Sequence, residues 1–226
     1  MGSTSSGSAL SQLNAFLVEV ACEANAEAKS RLLDEARAAV EKALIADPHN
    51  SDLHHALGLT WYHEPAWSDE ARQSVVHCFR KALELESGHQ FASLYLGHFY
   101  FDEGQYEEAL DFFSRADESY FENLGQHWRV LKNRELVLCC RLYLKLNEAG
   151  LNEIDQLCTA YEAADNENWM PPTQIVVCLA QLAKETEMEV RVIARRVLEM
   201  IRQIDLETAY ARMDEYRVLK HLVYGS

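Results

Sequence analysis

Apolar positions recur along this chain at spacings of three and four, the period of helices that bury one face. Leu13, Phe16, Leu17 and Val20 mark such a face in Ser11–Asn25. Ala36, Val40 and Ala43 mark the next, which Pro48 closes; Glu27 to Leu33 is expected to hold the turn between the two. In Asp47-Pro48-His49-Asn50, proline cannot continue the helix, and Asn50 or Ser51 can cap the following one. Beyond the break at Glu167-Asn168-Trp169-Met170-Pro171-Pro172, three more helices are predicted over Thr173–Lys184, Glu187–Ile204 and Leu206–Val223. Their stripes are Ile175, Cys178, Leu179 and Leu182, then Val190, Ile193, Val197 and Ile201 with Ala194 and Leu198. Arg191, Arg195, Arg196 and Arg202 are expected on the outer face of the middle one.

Between Ser51 and Asn123 small and large residues alternate in a fixed order. Gln90–Asn123 carries Leu96, Gly97 and Tyr100, then Gly104, Tyr106, Ala109, Phe113 and Ala116. The preceding unit carries Leu57, Gly58 and Trp61, then Val75, Phe79 and Ala82. A glycine inside a helix lets its partner helix approach closely, and the aromatic fills the space beyond. From Gly58 to Val75 is 17 positions and from Gly97 to Ala109 only 12, so five extra residues sit around His63–Ser68. Pro65 must break the helix there, and Ser68 can cap the next. Trp67 is either a contact residue or folded back onto its own unit. A fourth, degenerate unit uses Leu136, Cys140 and Tyr143, a turn at Gly150, and Ile154, Leu157, Cys158 and Tyr161. Asp117–His127 is an extension that lengthens one of the flanking helices.

Over Leu32–Tyr161 this pattern resembles the tetratricopeptide repeat (TPR) family, most closely in Gln90–Asn123. The resemblance implies an all-α fold, an α-solenoid of about four TPR-like helix pairs with a C-terminal helical cap. The expected organisation is a flexible tail over 1–9, repeats over 10–166 and capping helices over 167–226. In that family the first helix of each repeat lines a concave face that holds a peptide or a partner's helix. Position by position, the lining here is Asp52, His55, Leu59, Tyr62 and His63, then Phe91, Leu94, His98, Phe101 and Asp102, then Arg134, Val137, Arg141, Leu144 and Lys145. This implies a groove with an aromatic middle and a basic end. The subclass that clamps chaperone tails needs Lys and Asn where this chain has His55 and Leu59, so that ligand is not expected.

Composition narrows the chemistry. The 226 residues carry a net charge of −15, and residues 1–122 hold 21 acids against 8 bases, or −13. Such a surface repels nucleic-acid phosphates and anionic lipid, so neither nucleic acid nor membrane is expected as a partner. No apolar run approaches the length of a membrane span. Met1-Gly2-Ser3-Thr4-Ser5-Ser6 formally fits an acylation pattern but reads as a flexible tail, with no basic patch following it. Six cysteines without a CxxC pair read as reduced thiols of a cytoplasmic protein. Nine histidines show no metal-ligand spacing, and no phosphate loop, dinucleotide fingerprint or nucleophile elbow is present.

The expected function is therefore that of a non-enzymatic adaptor for another protein or peptide, with no cofactor and an oligomeric state the sequence does not specify. Two other readings stay open. The acidic half could sequester a basic protein such as a toxin or effector, or the groove could house a small-ligand sensor or an enzyme site built from scattered residues.

Overall fold

A computed structural model describes residues 25–144, 150–164, 170–184 and 187–225. Among them the chain is all-α, without strands, and its helices pack in sequential pairs of TPR-like form. They are α1 (Ala26–Ala46), α2 (Ser51–Tyr62), α3 (Asp69–Leu85), α4 (Gln90–Asp102), α5 (Tyr106–Phe113), α6 (Glu118–Asn123), α7 (His127–Tyr143), α8 (Gly150–Ala163), α9 (Thr173–Leu182), α10 (Glu187–Gln203), α11 (Glu207–Tyr210) and α12 (Asp214–Tyr224). The helices divide into two compact units, residues 1–99 and 100–226, and α4 contributes to both.

In the first unit, α1 starts where Asn25 caps it, its Oδ1 accepting the Ala28 N–H at 3.0 Å. The expected turn at Glu27–Leu33 is corrected: those residues are the opening turns of α1. Nothing there breaks a helix, and Asn25 supplies the acceptor a start needs. The predicted helix over Ser11–Asn25 lies outside the described residues except for that cap. Leu53 and Ala56 of α2 pack on Ala36 and Val40 of α1.

Asn50, one of the two residues the sequence offers, caps α2 through the Leu53 N–H at 3.1 Å, and Ser68 caps α3 through the Ala71 N–H at 3.1 Å, as the sequence predicts. α2 and α3 approach closely at Gly58, where an added Cβ would lie 2.5 Å from the Phe79 ring. Of the two readings of Trp67, the structure takes the second. Its half-buried ring meets Tyr62 edge-on and Phe99, each at 6.0 Å between centroids.

The second unit is built around one large cluster in which α7, α8, α9, α10 and α12 all take part, with Tyr161, Ile175, Leu179, Met200 and Leu219 fully buried. A polar knot lies inside it. Glu135 has no exposed surface; its carboxylate accepts the Ile175 N–H at 2.9 Å, the Tyr161 hydroxyl at 3.2 Å and the Lys132 ammonium at 2.5 Å. Lys132 also donates to the Pro171 carbonyl at 3.1 Å, so α7 holds the chain that enters α9. Lys132 and Glu135, three apart on α7, are both buried by tertiary packing.

Three further expectations change here. Asp117–His127 extends neither neighbour: Asp117 caps a separate short helix, α6, and Gly125 at φ +69° ends it before α7. The predicted helix Leu206–Val223 is two helices, α11 and α12, separated by a turn at Ala211–Met213 that no glycine or proline announces. Arg196 is not on an outer face. It reaches α8, meeting Asp155 at 2.7 Å and Glu162 at 2.5 Å.

Candidate functional site

In the first unit the sequence-predicted residues converge on a wall of rings. His55 and Tyr62 lie seven apart on α2; Phe91 and His98 lie seven apart on α4, so each helix turns both of its rings to one side. Between the helices stands Tyr95, which sequence reasoning missed. Its ring lies 5.7 Å from His55, 5.5 Å from Tyr62, 5.9 Å from His98 and 5.8 Å from Phe79. The signal was available, because Tyr95 follows Phe91 by four and precedes His98 by three. His55 meets Phe91 at 5.9 Å and His89 at 5.0 Å. All five rings of the wall, His55, Tyr62, Phe91, Tyr95 and His98, are half-buried, leaving apolar edge and face toward solvent.

His89, also unforeseen, anchors the wall. It is 5% exposed, and its Nδ1 accepts the Ala92 N–H at 3.1 Å, which fixes the start of α4. The proton of the neutral ring is then on Nε2, which lies 3.4 Å from Asp52. His63 continues the wall past Tyr62, at 5.4 Å. Burial holds its imidazolium form down and nearby Lys29 adds repulsion, so it titrates below its ordinary range. Leu59 and Leu94 do not belong to the wall: at 8% and 1% exposed they are core residues with no surface to offer.

The remaining predicted residues lie in the second unit. Phe101 packs on its core, edge-on to Tyr106 at 5.6 Å and 6.4 Å from Tyr143. Asp102, the last residue of α4, is exposed. Arg134 and Arg141 come together along a cleft of about 660 Å³, with Val137 between them. The other walls of this cleft are the end of α5, α6 and α8. Neither arginine is a bare cation. Arg134 forms a two-pronged bridge to Glu118 at 2.7 and 2.6 Å, and Arg141 pairs with Glu153. Glu118 is held below the usual carboxylate range by that bond, and Arg134 is raised by it. Leu144 is half-buried at the end of α7, and Lys145 lies outside the described residues.

Four of the thiols are poorly placed for nucleophilic chemistry. Burial pushes Cys78, Cys140 and Cys158 up to about 12, and Cys139 well up, so the reactive thiolate is disfavoured. Among the described residues no group of three or more His, Cys, Asp or Glu is arranged to hold a metal ion. No helix among them is long and apolar enough to cross a membrane.

No family model matches this sequence, and no curated protein matches it. The fold has a counterpart among solved structures. The chain superposes on the TPR-repeat protein PilF of Pseudomonas aeruginosa, from a functional characterization of that protein, with a TM-score of 0.55 and 17% identity. The match covers 97% of this chain and 92% of that one. At this identity the likeness speaks to the fold, which is TPR-like.

Proposed function

We propose that this protein is a non-catalytic interaction scaffold that grips a segment of another protein on the ring wall of α2 and α4. The observation that carries the reading is the cluster of half-buried rings formed by His55, Tyr62, Phe91, Tyr95 and His98. Rings of this kind supply contact area at low entropic cost, because only two side-chain torsions must be fixed and neighbouring rings already restrict them. The imidazoles add hydrogen-bond capacity at the edge of an apolar surface. The TPR-like fold supports the same reading, since it presents helix faces in rows.

The test is a selection of peptides from a displayed library against the purified full chain, followed by affinity measurement on single variants. Tyr62→Ala, Phe91→Ala and Tyr95→Ala each reduce affinity about tenfold or more, the effect of losing an aromatic anchor. Selected peptides that bind all three variants as they bind the parent would overturn the assignment.

A second reading draws on the −13 carried by residues 1–122, which suits capture of a basic protein. Ionic strength separates the two. Binding to the ring wall changes little with added salt, whereas acidic capture weakens steeply as the Debye length falls below about 10 Å.

A further inference from the structure

Charge is spread unevenly around the ring wall. α2 and α4, which carry its rings, contain no lysine or arginine; between residues 51 and 99 these cations are Arg72, Arg80 and Lys81, all on α3. The acid of α2 is Asp52, three residues before His55 and so on the same side of the helix. Its side chain is 62% exposed, and its Oδ1 lies 3.4 Å from His89 Nε2, while the His89 ring lies 5.0 Å from that of His55. The other end of the wall differs, because His63 there feels the repulsion of Lys29. The Asp52 end therefore sets an exposed carboxylate beside ring faces, and the face of an aromatic ring carries negative charge density that attracts a cation. The same unit already contains such a contact, with the Arg37 guanidinium 3.6 Å above the Trp61 ring.

We infer that the segment gripped by the ring wall presents an arginine, stacked on the rings of His55, Phe91 and Tyr95 with its guanidinium directed toward Asp52. The inference rests on the wall being a binding surface and adds the chemistry of its partner. Arginine fits better than lysine, because a planar guanidinium lies flat on a ring while one edge pairs with a carboxylate, whereas an ammonium is a compact, strongly hydrated charge. An acidic side chain does not fit this end, where it would meet Asp52 and ring faces with no lysine or arginine of α2 or α4 to receive it. Lys29 sets the direction, since its repulsion is felt at His63 and leaves the Asp52 end to the cation. Capture of a polybasic protein is a different event, which would draw on the whole charge of residues 1–122 and not on these rings.

The probe is N-acetyl-Gly-Leu-Arg-Phe-Gly-amide, compared with its citrulline and lysine counterparts. Each is titrated into the full chain with labelled Phe and Tyr rings, observed by NMR. Citrulline keeps the planar end of arginine and loses its charge. The arginine peptide is expected to shift the Phe91 and Tyr95 rings more than the Tyr62 ring. It binds about fivefold more tightly than the citrulline peptide, the effect of one stacked cation at a partly exposed site, and the lysine peptide falls between. Asp52→Asn lowers the preference for arginine and leaves affinity for the citrulline peptide unchanged. Tyr95→Leu removes most of the preference that remains; because Asp52 is exposed, Asp52→Asn keeps the result readable even if Tyr95→Leu fails to fold. Equal affinity for arginine and citrulline, with both peptides shifting the wall rings, would overturn this inference and leave the ring wall standing. A preference for arginine that survives both substitutions would belong to the acidic surface at large and would overturn it as well. No shift of a wall ring by any of the three at millimolar concentration would also overturn it, and the library selection would then judge the wall by itself.

Discussion

The ring wall of the first unit and the charged helix α7 of the second treat their conspicuous residues in opposite ways. On the wall, rings touch rings, and each contact leaves part of the aromatic surface available. On α7, Lys132, Arg134, Glu135 and Arg141 each have a partner of opposite charge or a buried acceptor. An aromatic side chain can serve its fold and a ligand together, since packing one edge leaves the other face free. A charge that has found its counter-ion has spent most of its attraction, so residue type alone overstates what α7 offers a partner.

The comparison is broken most directly at Glu135. Glu135→Ala strands the Lys132 ammonium in a nearly dry site and removes the acceptor for the Ile175 N–H and the Tyr161 hydroxyl. Loss of one member of a buried pair costs about 3–5 kcal/mol. Urea unfolding of the full chain should show that loss, with Glu135→Gln losing less because its amide oxygen still accepts from Ile175. A cost near that of a surface substitution for Glu135→Ala would mean that the charges of α7 are as solvated as an exposed pair.

The corresponding change in the first unit is steric. Gly58→Ala places a methyl 2.5 Å from the Phe79 ring. Overpacking of this kind costs about 1–3 kcal/mol. Phe79→Leu in the same chain should recover part of it, and because Phe79 also stacks on Tyr95, the pair tests whether helix spacing sets the ring wall.

Much of the first unit was legible in the sequence, and the reason is local. Gly58, Pro65, Ser68 and Asn50 act within a few residues of themselves, so their spacing predicts the close approach, the break and both caps. Tyr62 and Phe91 announce a ring surface by type and period. Leu59 and Leu94 share that period, but which side of a helix is covered depends on neighbours far along the chain. The second unit was less legible because its determinants are distant in sequence. Glu135 meets Ile175 forty positions on, and Arg196 meets Asp155 and Glu162 across another helix. A lysine and a glutamate three apart look the same on paper whether water or Tyr161 surrounds them. The turn between α11 and α12 leaves no composition signal at all.

A smaller effect sharpens the wall itself. His63 has its proton affinity lowered by burial and by Lys29, while the unfolded chain keeps an ordinary value of 6.5. Between those two values the unfolded state binds more protons, so stability rises with pH there and is lost as pH falls below 6.5 toward the folded value. Urea midpoints measured from pH 7.5 to 5.5 should show this decline, and His63→Gln should flatten its share of it. An unchanged slope in the variant would place His63 in water rather than against Tyr62.

The smallest expected effect belongs to the rim of the cleft. Arg134 and Glu118 are both substantially exposed, at 47% and 39%, so their two-pronged bridge is screened by solvent. Exposed pairs contribute about 0.2–1 kcal/mol, and a double-mutant cycle with Arg134→Ala and Glu118→Ala should find a coupling in that range. The folded carboxyl of Glu118 lies below its unfolded value, so the coupling is complete at neutral pH and is lost as acid carries the solution through the folded value. Adding salt at pH 7 should shrink it as well. A coupling well above 1 kcal/mol that persists in high salt would show the bridge to be shielded from water, and the rim of the cleft would then resemble the buried knot at Glu135 more than an open surface.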